Sequence, residues 1–187
     1  RELVVAIRNA TGDASVRNAL YLQAMTCQRT GEVIEATWGE FQLDAKVPTW
    51  TIPRARMKIG DPSRPDQVLH LAPQTVAWLK TLPKDKSGYL FPGRVERSFV
   101  TSESVSKAMR LTLGMKDKHT PHGWRSSMAT LARGAVDKDG RPMFAESWVE
   151  GLLDHLSGDA VKAAYLRKRD VDGIGRVLAW WVGHLGV

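Results

Sequence analysis

The spacing of apolar residues changes twice along this chain, and the change limits the folds that it can adopt. From Ser15 to Met25 apolar residues recur at three- and four-residue steps, the period of a helix with one buried face. Between Trp38 and Leu71 the pattern becomes short runs rich in Trp, Phe, Val and Thr, separated by Pro, Gly, Asp and Ser. From Pro73 onward the helical spacing returns. The sequence therefore predicts an α+β fold, mainly α-helical with a small three-stranded antiparallel sheet.

Turn and capping residues set the expected bounds of these elements. The strands are predicted over Trp38–Leu43, Thr49–Ile52 and Gln67–Leu71. A short helix is expected after Gly31, and Pro at helix starts and Gly after helix ends mark several more. These further helices are predicted over Pro73–Leu82, from an N-cap at Ser102 to Gly114, from Thr120-Pro121 to Arg133, over Ser147–Asp154 and Asp159–Lys168, and over Val171–Leu185, with Val136–Phe144 as a polar loop.

Charge and cysteine content narrow the class of protein. Lys and Arg number 27 against 20 Asp and Glu, giving a formal charge of +7 that favours a polyanionic partner, nucleic acid first. The single cysteine, Cys27, cannot form an internal disulfide and points to the reducing cytoplasm. The longest apolar stretches, such as Leu178–Val182, are far shorter than the roughly 20 residues that span a bilayer, so no membrane segment is expected. Because the chain begins with Arg1 rather than Met, it is interpreted as a fragment or a processed product, and upstream domains could be missing from it.

His122 and Arg125 form the first candidate site. Both fall on the predicted opening turn of a helix, where backbone N–H groups lack partners and the helix dipole is positive. Their spacing of three places both side chains on one face, where imidazole, guanidinium and helix N-terminus together favour an anion such as phosphate. Taken alone, the pair is better explained structurally, with Arg125 paired to a carboxylate and His122 satisfied at the helix start.

The order of further residues resembles that of the tyrosine recombinases. His122-Gly-Trp-Arg125 is followed by His155 and Tyr165, which resembles the second half of the active site in that family. Upstream, the segment from Cys27 to Trp38 is similar to the one that holds the family's first active-site arginine, here Arg29. Arg56-Met57-Lys58 stands at the position of the family's lysine. Three further motifs resemble the integrases of prophages and related elements: Leu90-Phe91-Pro92, Thr120-Pro121-His122 and Trp180-Trp181.

The resemblance implies cleavage of a DNA strand by transesterification to a tyrosine, and the residue types suit that chemistry. In-line attack on a phosphodiester builds negative charge on two non-bridging oxygens while one ester oxygen leaves. Arg29 and Arg125 would supply planar, permanently charged forks for those oxygens. Glu32 is interpreted as a structural partner beside Arg29 rather than as an acid catalyst.

The same resemblance assigns the groups that form bonds and move protons. Tyr165 would be the nucleophile, giving a 3′-phosphotyrosine and a free 5′-hydroxyl. Lys58 is the expected acid for the leaving 5′-oxygen, His122 would take or shuttle the tyrosine proton, and His155 would hydrogen-bond the scissile phosphate. Because the phosphotyrosine conserves the bond energy of the ester, religation would need no cofactor, neither ATP nor a metal.

Three of these roles have alternatives. Tyr165 could be an ordinary tyrosine at the edge of the core, and His155 could cap carbonyls at a helix end. Arg54 or Arg56 could contact the phosphate in place of Lys58, which lies close to both.

Two positions depart from the family pattern. Ser126 stands after Arg125 where many members carry histidine, and Asp154 stands before His155 where glycine is common. Neither change removes a reacting group, so we expect an effect on reaction rate rather than on reaction type.

The function implied is that of a site-specific DNA recombinase, an integrase acting in the integration or excision of a prophage or genomic island. Residues 1–187 would form one catalytic domain, without the arm-binding and core-binding domains that precede it in the family. Its partner would be double-stranded DNA, on which it would act as a homotetramer. As an isolated domain it would be a monomer.

The apolar stripe of Asp170–Val187 could close this domain's own core, which is the commoner use of such a face. Our hypothesis is that the segment packs against a neighbouring protomer.

Other classes of protein fit the sequence less well. A type IB topoisomerase has a similar active site, but the prophage-like motifs argue against it. A non-catalytic DNA-binding module would need only basic charge and phosphate-binding arginines, whereas all six polar active-site positions are filled. A metal-dependent nuclease is disfavoured because His119, His122 and His155 have no compact carboxylate cluster at ligand spacing.

Overall fold

The structure, a computed structural model, describes residues 1–57, 64–96, 98–154 and 170–187. Its helices and strands confirm the predicted α+β fold, whereas the helix predicted over Asp159–Lys168 lies outside the described residues. The helices are α1 (Glu2–Asn9), α2 (Ala14–Thr26), α3 (Thr30–Ile34), α4 (Pro73–Leu79), α5 (Ser102–Lys107), α6 (Gly123–Gly134), α7 (Glu146–Leu153) and α8 (Val171–Leu185), and the strands are β1 (Phe41–Gln42), β2 (Thr49–Ile52) and β3 (Gln67–His70).

The sheet is antiparallel with the strand order β1-β2-β3. In β2, buried Trp50 and Ile52 alternate with half-buried threonines, which is the pattern of a strand with one face on the core. The first predicted strand, Trp38–Leu43, is too long. Residues Trp38–Glu40 form a 3-10 turn, capped by a hydrogen bond from the Thr37 backbone N–H to the Glu40 carboxylate, and strand pairing begins only after it.

The starts of α5 and α6 differ from their predicted positions. The N-cap of α5 is Thr101 rather than Ser102, because the Thr101 hydroxyl accepts the hydrogen bond from the backbone N–H three residues on, at 3.1 Å. Helix α6 begins at Gly123, later than predicted. Thr120 nevertheless serves as a capping hydroxyl, accepting a hydrogen bond from the Gly123 N–H at 3.2 Å.

Helix α1 has no counterpart among the predicted elements. It is 8 residues long and buries only Val4 and Ile7, so the helical period is too short to stand out in the sequence. The helix packs on α2, and Arg1 donates a hydrogen bond from Nε to the His184 carbonyl at 2.8 Å. The N-terminal segment is thereby joined to α8.

Helix α8 is the element on which much of the rest packs. It contacts β3, α7, α2, α4 and α6, and it buries Ile174, Leu178 and Trp181. Trp181 also donates a hydrogen bond from Nε1 to the Ala24 carbonyl at 2.7 Å. The stripe is therefore part of this chain's own core, and the contact of 170–187 with a neighbouring protomer stays a prediction. Nowhere in the described part of the chain is a helix both long and apolar enough to cross a membrane.

We predict that Trp181→Ala lowers the free energy of unfolding by about 3–5 kcal/mol, because it empties a large buried site and leaves the Ala24 carbonyl without its donor. Chemical denaturation measures the loss. The control is Trp180→Ala, since Trp180 is the adjacent tryptophan on the same helix and is only partly buried. Equal losses from the two changes would contradict the central place given to α8.

Candidate active site

Arg125 lies in the first turn of α6 and is only 2% exposed. Its Nη1 donates a hydrogen bond to the Cys27 carbonyl at 2.8 Å, and its Nη2 donates one to the Leu153 carbonyl. Cys27 caps the C-terminus of α2, and Leu153 is the last residue of α7. Carbonyls at helix C-termini carry partial negative charge, so two helix ends compensate the buried guanidinium. Both hydrogen bonds go to carbonyls, not to the carboxylate that the structural explanation of Arg125 would require.

Arg29 lies close enough to Arg125 to act on it electrostatically. Burial and, after it, the charge of Arg29 lower the pKa of Arg125 to about 10, against the opposing charges of Glu32 and Asp154. Arg125 therefore keeps its positive charge at neutral pH. Because Arg125 also binds the carbonyl of Cys27, two residues before Arg29, the fold brings together the two arginines that the sequence assigns to a phosphate.

The N-terminus of α3 positions Arg29. Arg29 is the N-cap residue, and its backbone N–H donates a hydrogen bond to Glu32 Oε2 at 2.9 Å. Its Nη1 pairs with Glu32 Oε1 at 2.9 Å, where the Arg29 side chain is 23% exposed and that of Glu32 is 2% exposed. The predicted pairing of Glu32 with Arg29 is confirmed. A buried carboxylate holds a guanidinium that still reaches the surface.

His122 is the N-cap residue of α6 and is exposed. It precedes Arg125 by three residues, so an imidazole at the surface lies one turn from the buried guanidinium. The turn before it is set by His119, whose ring stacks edge-on against Trp124 with centroids 4.6 Å apart. The same ring lies where a side chain on Gly123 would be, so this glycine permits the close approach.

The two arginines offered as alternatives to Lys58 are both engaged within the protein. Arg54 is 4% exposed and forms a salt bridge with Asp154. Arg56 donates a hydrogen bond from Nη1 to the Glu32 backbone carbonyl at 2.9 Å and pairs through Nη2 with the half-buried carboxylate of Glu40. The segment that leads to Lys58 is therefore attached to the helix that carries Glu32, beside Arg29.

Lys58, His155 and Tyr165 lie outside the described residues. The structure therefore brings together Arg29 and Arg125 and places His122 near them on α6. For the other three it describes only the residues at the ends of the segments 58–63 and 155–169 that contain them, among them Met57 and Asp154.

Two buried glutamines that the sequence did not single out hold the end of α7. Gln28 and Gln67 each donate a hydrogen bond from Nε2 to the Leu152 carbonyl, at 3.1 and 3.0 Å. With Arg125 on the Leu153 carbonyl, three side chains from three separate parts of the chain hold the last turn of this helix. No sequence signal reveals them, because their acceptors are backbone carbonyls far away in the chain.

Comparison with known proteins decides the family. Residues 1–170 match the model of the phage integrase family. This chain belongs to that family. Its relatives include the integrase of Enterobacteria phage P4, 29% identical over 98% of this chain and 43% of the relative, and the prophage integrase IntA of Escherichia coli K12, 27% identical over 96% of this chain and 41% of the relative. The chain thus spans about two fifths of the length of these phage integrase relatives.

Solved structures agree with the predicted fold. A XerH site-specific recombinase bound to its difH substrate in a pre-cleavage complex matches 91% of this chain and 48% of its own, with a TM-score of 0.59 and 16% identity. The XerA recombinase matches 90% of this chain and 64% of its own, with a TM-score of 0.51 and 16% identity. At these identities the likeness establishes the fold alone.

We predict that Gly123→Ala destabilises the protein by about 1–3 kcal/mol, although alanine is the better helix former. A Cβ at Gly123 would lie 2.8 Å from His119 Cε1, which forces the ring away from Trp124. The control is Gly134→Ala at the other end of α6, where a Cβ meets nothing within 4 Å. Thermal unfolding of both variants tests this, and a Gly123→Ala protein as stable as Gly134→Ala would show that the packing of His119 does not fix the start of α6.

Proposed function

We propose that this chain is the catalytic part of a site-specific DNA recombinase that cleaves and rejoins DNA strands through a 3′-phosphotyrosine intermediate. The natural process would be the integration or excision of a prophage or genomic island. The observation that carries this proposal is the hydrogen bond from Arg125 to the Cys27 carbonyl, two residues before Arg29, which brings two arginines from distant parts of the chain close to an exposed histidine at the start of α6. Membership of the phage integrase family supports the same reaction class.

The paired arginines suit a phosphodiester under attack. In the transition state negative charge grows on the two non-bridging oxygens, and preorganised cations stabilise it without further rearrangement. Arg125 is preorganised by its two carbonyl partners, and Arg29 by Glu32. Each guanidinium keeps further N–H donors in fixed directions, because five donors share one plane.

The remaining steps are assigned to residues outside the described part of the chain and to His122. The Tyr165 hydroxyl oxygen attacks phosphorus, a bond forms between them, and the bond from phosphorus to the 5′-oxygen breaks. The tyrosine proton passes to His122 or through it to solvent, and Lys58 gives a proton to the departing 5′-oxygen. His155 donates a hydrogen bond to the phosphate. The reverse reaction with another 5′-hydroxyl rejoins the strand, so the exchange uses neither ATP nor a metal.

Double-stranded DNA is the proposed partner, bound at the attachment sites of the element. Two sites would be joined by a homotetramer, while the isolated domain would be a monomer. Asp170–Val187 would contribute to protomer contacts through the face of α8 that is turned away from the core. Such a protein would act where bacterial or phage DNA lies, in the cytoplasm.

The first test is capture of the covalent intermediate on a nicked suicide substrate, from which the short fragment that carries the free 5′-hydroxyl diffuses away after cleavage. We expect an adduct that survives denaturation with the unchanged protein and none with Tyr165→Phe, because the variant has no nucleophile. The chain has 3 tyrosines, so Tyr21→Phe and Tyr89→Phe are matched controls that should still form the adduct. Gel electrophoresis of labelled DNA measures it.

An adduct formed by Tyr165→Phe would disprove the nucleophile assignment. Adduct formation on any nicked DNA, without preference for attachment-site sequences, would indicate a topoisomerase-like activity instead.

A further inference from the structure

Asp154 has an unusual backbone and an unusual environment. As the C-cap of α7 it has φ 50° and ψ 40°, in the left-handed region, and it is 5% exposed. A glycine would adopt this conformation without strain, so the turn itself does not require a carboxylate. Burying a carboxylate is costly unless cations and hydrogen bonds compensate it. The reason for an aspartate here must therefore lie in what its side chain binds.

The Asp154 carboxylate binds two arginines. Oδ2 accepts a hydrogen bond from Arg54 Nη1 at 2.9 Å, and Oδ1 accepts one from Arg54 Nη2 at 3.3 Å, which makes the pair bidentate. Oδ1 also accepts a hydrogen bond from Arg64 Nη2 at 2.8 Å. The Arg54 and Asp154 side chains are 5% and 3% exposed, while Arg64 is 22% exposed.

The positions of these partners in the chain are informative. Arg54 precedes and Arg64 follows the segment 58–63, which begins with the proposed general acid. Asp154 directly precedes the segment 155–169, which carries the proposed nucleophile. One carboxylate thus fastens both flanks of the lysine segment to the start of the tyrosine segment.

Further contacts of Arg54 restrain the residues on both sides of the segment 58–63. The Arg54 backbone N–H donates a hydrogen bond to Asp66 Oδ1 at 2.8 Å. The Arg54 guanidinium also donates to the Pro65 carbonyl, from Nε at 3.1 Å and from Nη2 at 3.0 Å. The two flanks of 58–63 are therefore bound to each other as well as to Asp154.

We propose that Asp154 is a positioning residue, whose carboxylate sets the lysine segment against the histidine and tyrosine segment so that acid and nucleophile act on the same phosphate. This rests on the function proposed above. It also accounts for an aspartate where the family commonly has glycine, since glycine serves the turn but cannot join the two segments.

The test uses two DNA substrates that differ in the leaving atom. One has the ordinary 5′-oxygen at the scissile phosphate, and the other has sulfur in its place, which leaves as a thiolate and needs no general acid. We expect Asp154→Gly to slow cleavage of the ordinary substrate by about 100-fold, the order of loss that a misplacement of about 1 Å causes. On the sulfur substrate most of that loss should disappear, as it should for Lys58→Ala.

Two further variants make the result specific. Arg64→Ala keeps the buried Arg54–Asp154 pair and the contacts of Arg54 with Pro65 and Asp66, but it removes the direct ion pair between Asp154 and the residue that follows 58–63. Its loss of cleavage should therefore be smaller than that of Asp154→Gly, and it should also disappear on the sulfur substrate, even if Asp154→Gly folds poorly. Lys80→Ala, which breaks an exposed salt bridge with Asp44 of 2.7 Å, is the control and should cleave both substrates normally.

The outcomes separate this inference from the proposed function. If the sulfur substrate restored cleavage by Lys58→Ala but not by Asp154→Gly and Arg64→Ala, the role of Asp154 would be overturned and the lysine would remain the acid. Unchanged cleavage by both Asp154→Gly and Arg64→Ala would overturn it as well. If the sulfur substrate restored cleavage by none of the variants, Lys58 would not be the general acid, and the inference about Asp154 would fall with that assignment.

Discussion

The buried guanidinium of Arg125 is the interaction on which the arrangement of this domain depends. It joins the start of α6 to the C-terminal ends of α2 and α7 through two carbonyls. The chain leaving α2 reaches Arg29 within a few residues, and the chain leaving α7 enters the segment assigned to the histidine and the nucleophile. One charged group therefore sets where three active-site segments begin. Lysine could not take its place, because an ammonium group lacks the planar fork that reaches both carbonyls.

Buried polar groups support exposed ones throughout this region. Glu32 holds Arg29, Gln28 and Gln67 hold the end of α7, and Asp154 holds two arginines. Each buried group costs desolvation energy that its hydrogen bonds and ion pairs offset, and several such contacts together favour one geometry over others. Groups that must meet a phosphate within a fraction of an ångström need such supports, because a flexible side chain would lose entropy at each encounter.

The sequence predicted what depends on local pattern and missed what depends on distant partners. The spacing of apolar residues located α2 and α8, and turn residues bounded β2 and β3, because these signals lie within each element. Asp154 is visible in the sequence as a departure from the glycine that is common there, but its two arginine partners lie 100 and 90 residues away and have no local signature. The same limit applies to Arg125, for which a carboxylate partner was the simpler expectation and backbone carbonyls are the finding.

The central claim is that Arg29 and Arg125 neutralise one phosphate in the transition state, and a charge-deleted substrate tests it directly. Replacing a non-bridging oxygen of the scissile phosphate by a methyl group removes the negative charge that the arginines would meet. Arg29→Ala is the suitable variant, since Arg29 is partly exposed and its loss leaves the Arg125 bridge in place. Cleavage rates of this variant relative to the unchanged protein should be far lower on ordinary DNA than on the methylated substrate. An equal loss on both substrates would contradict the claim.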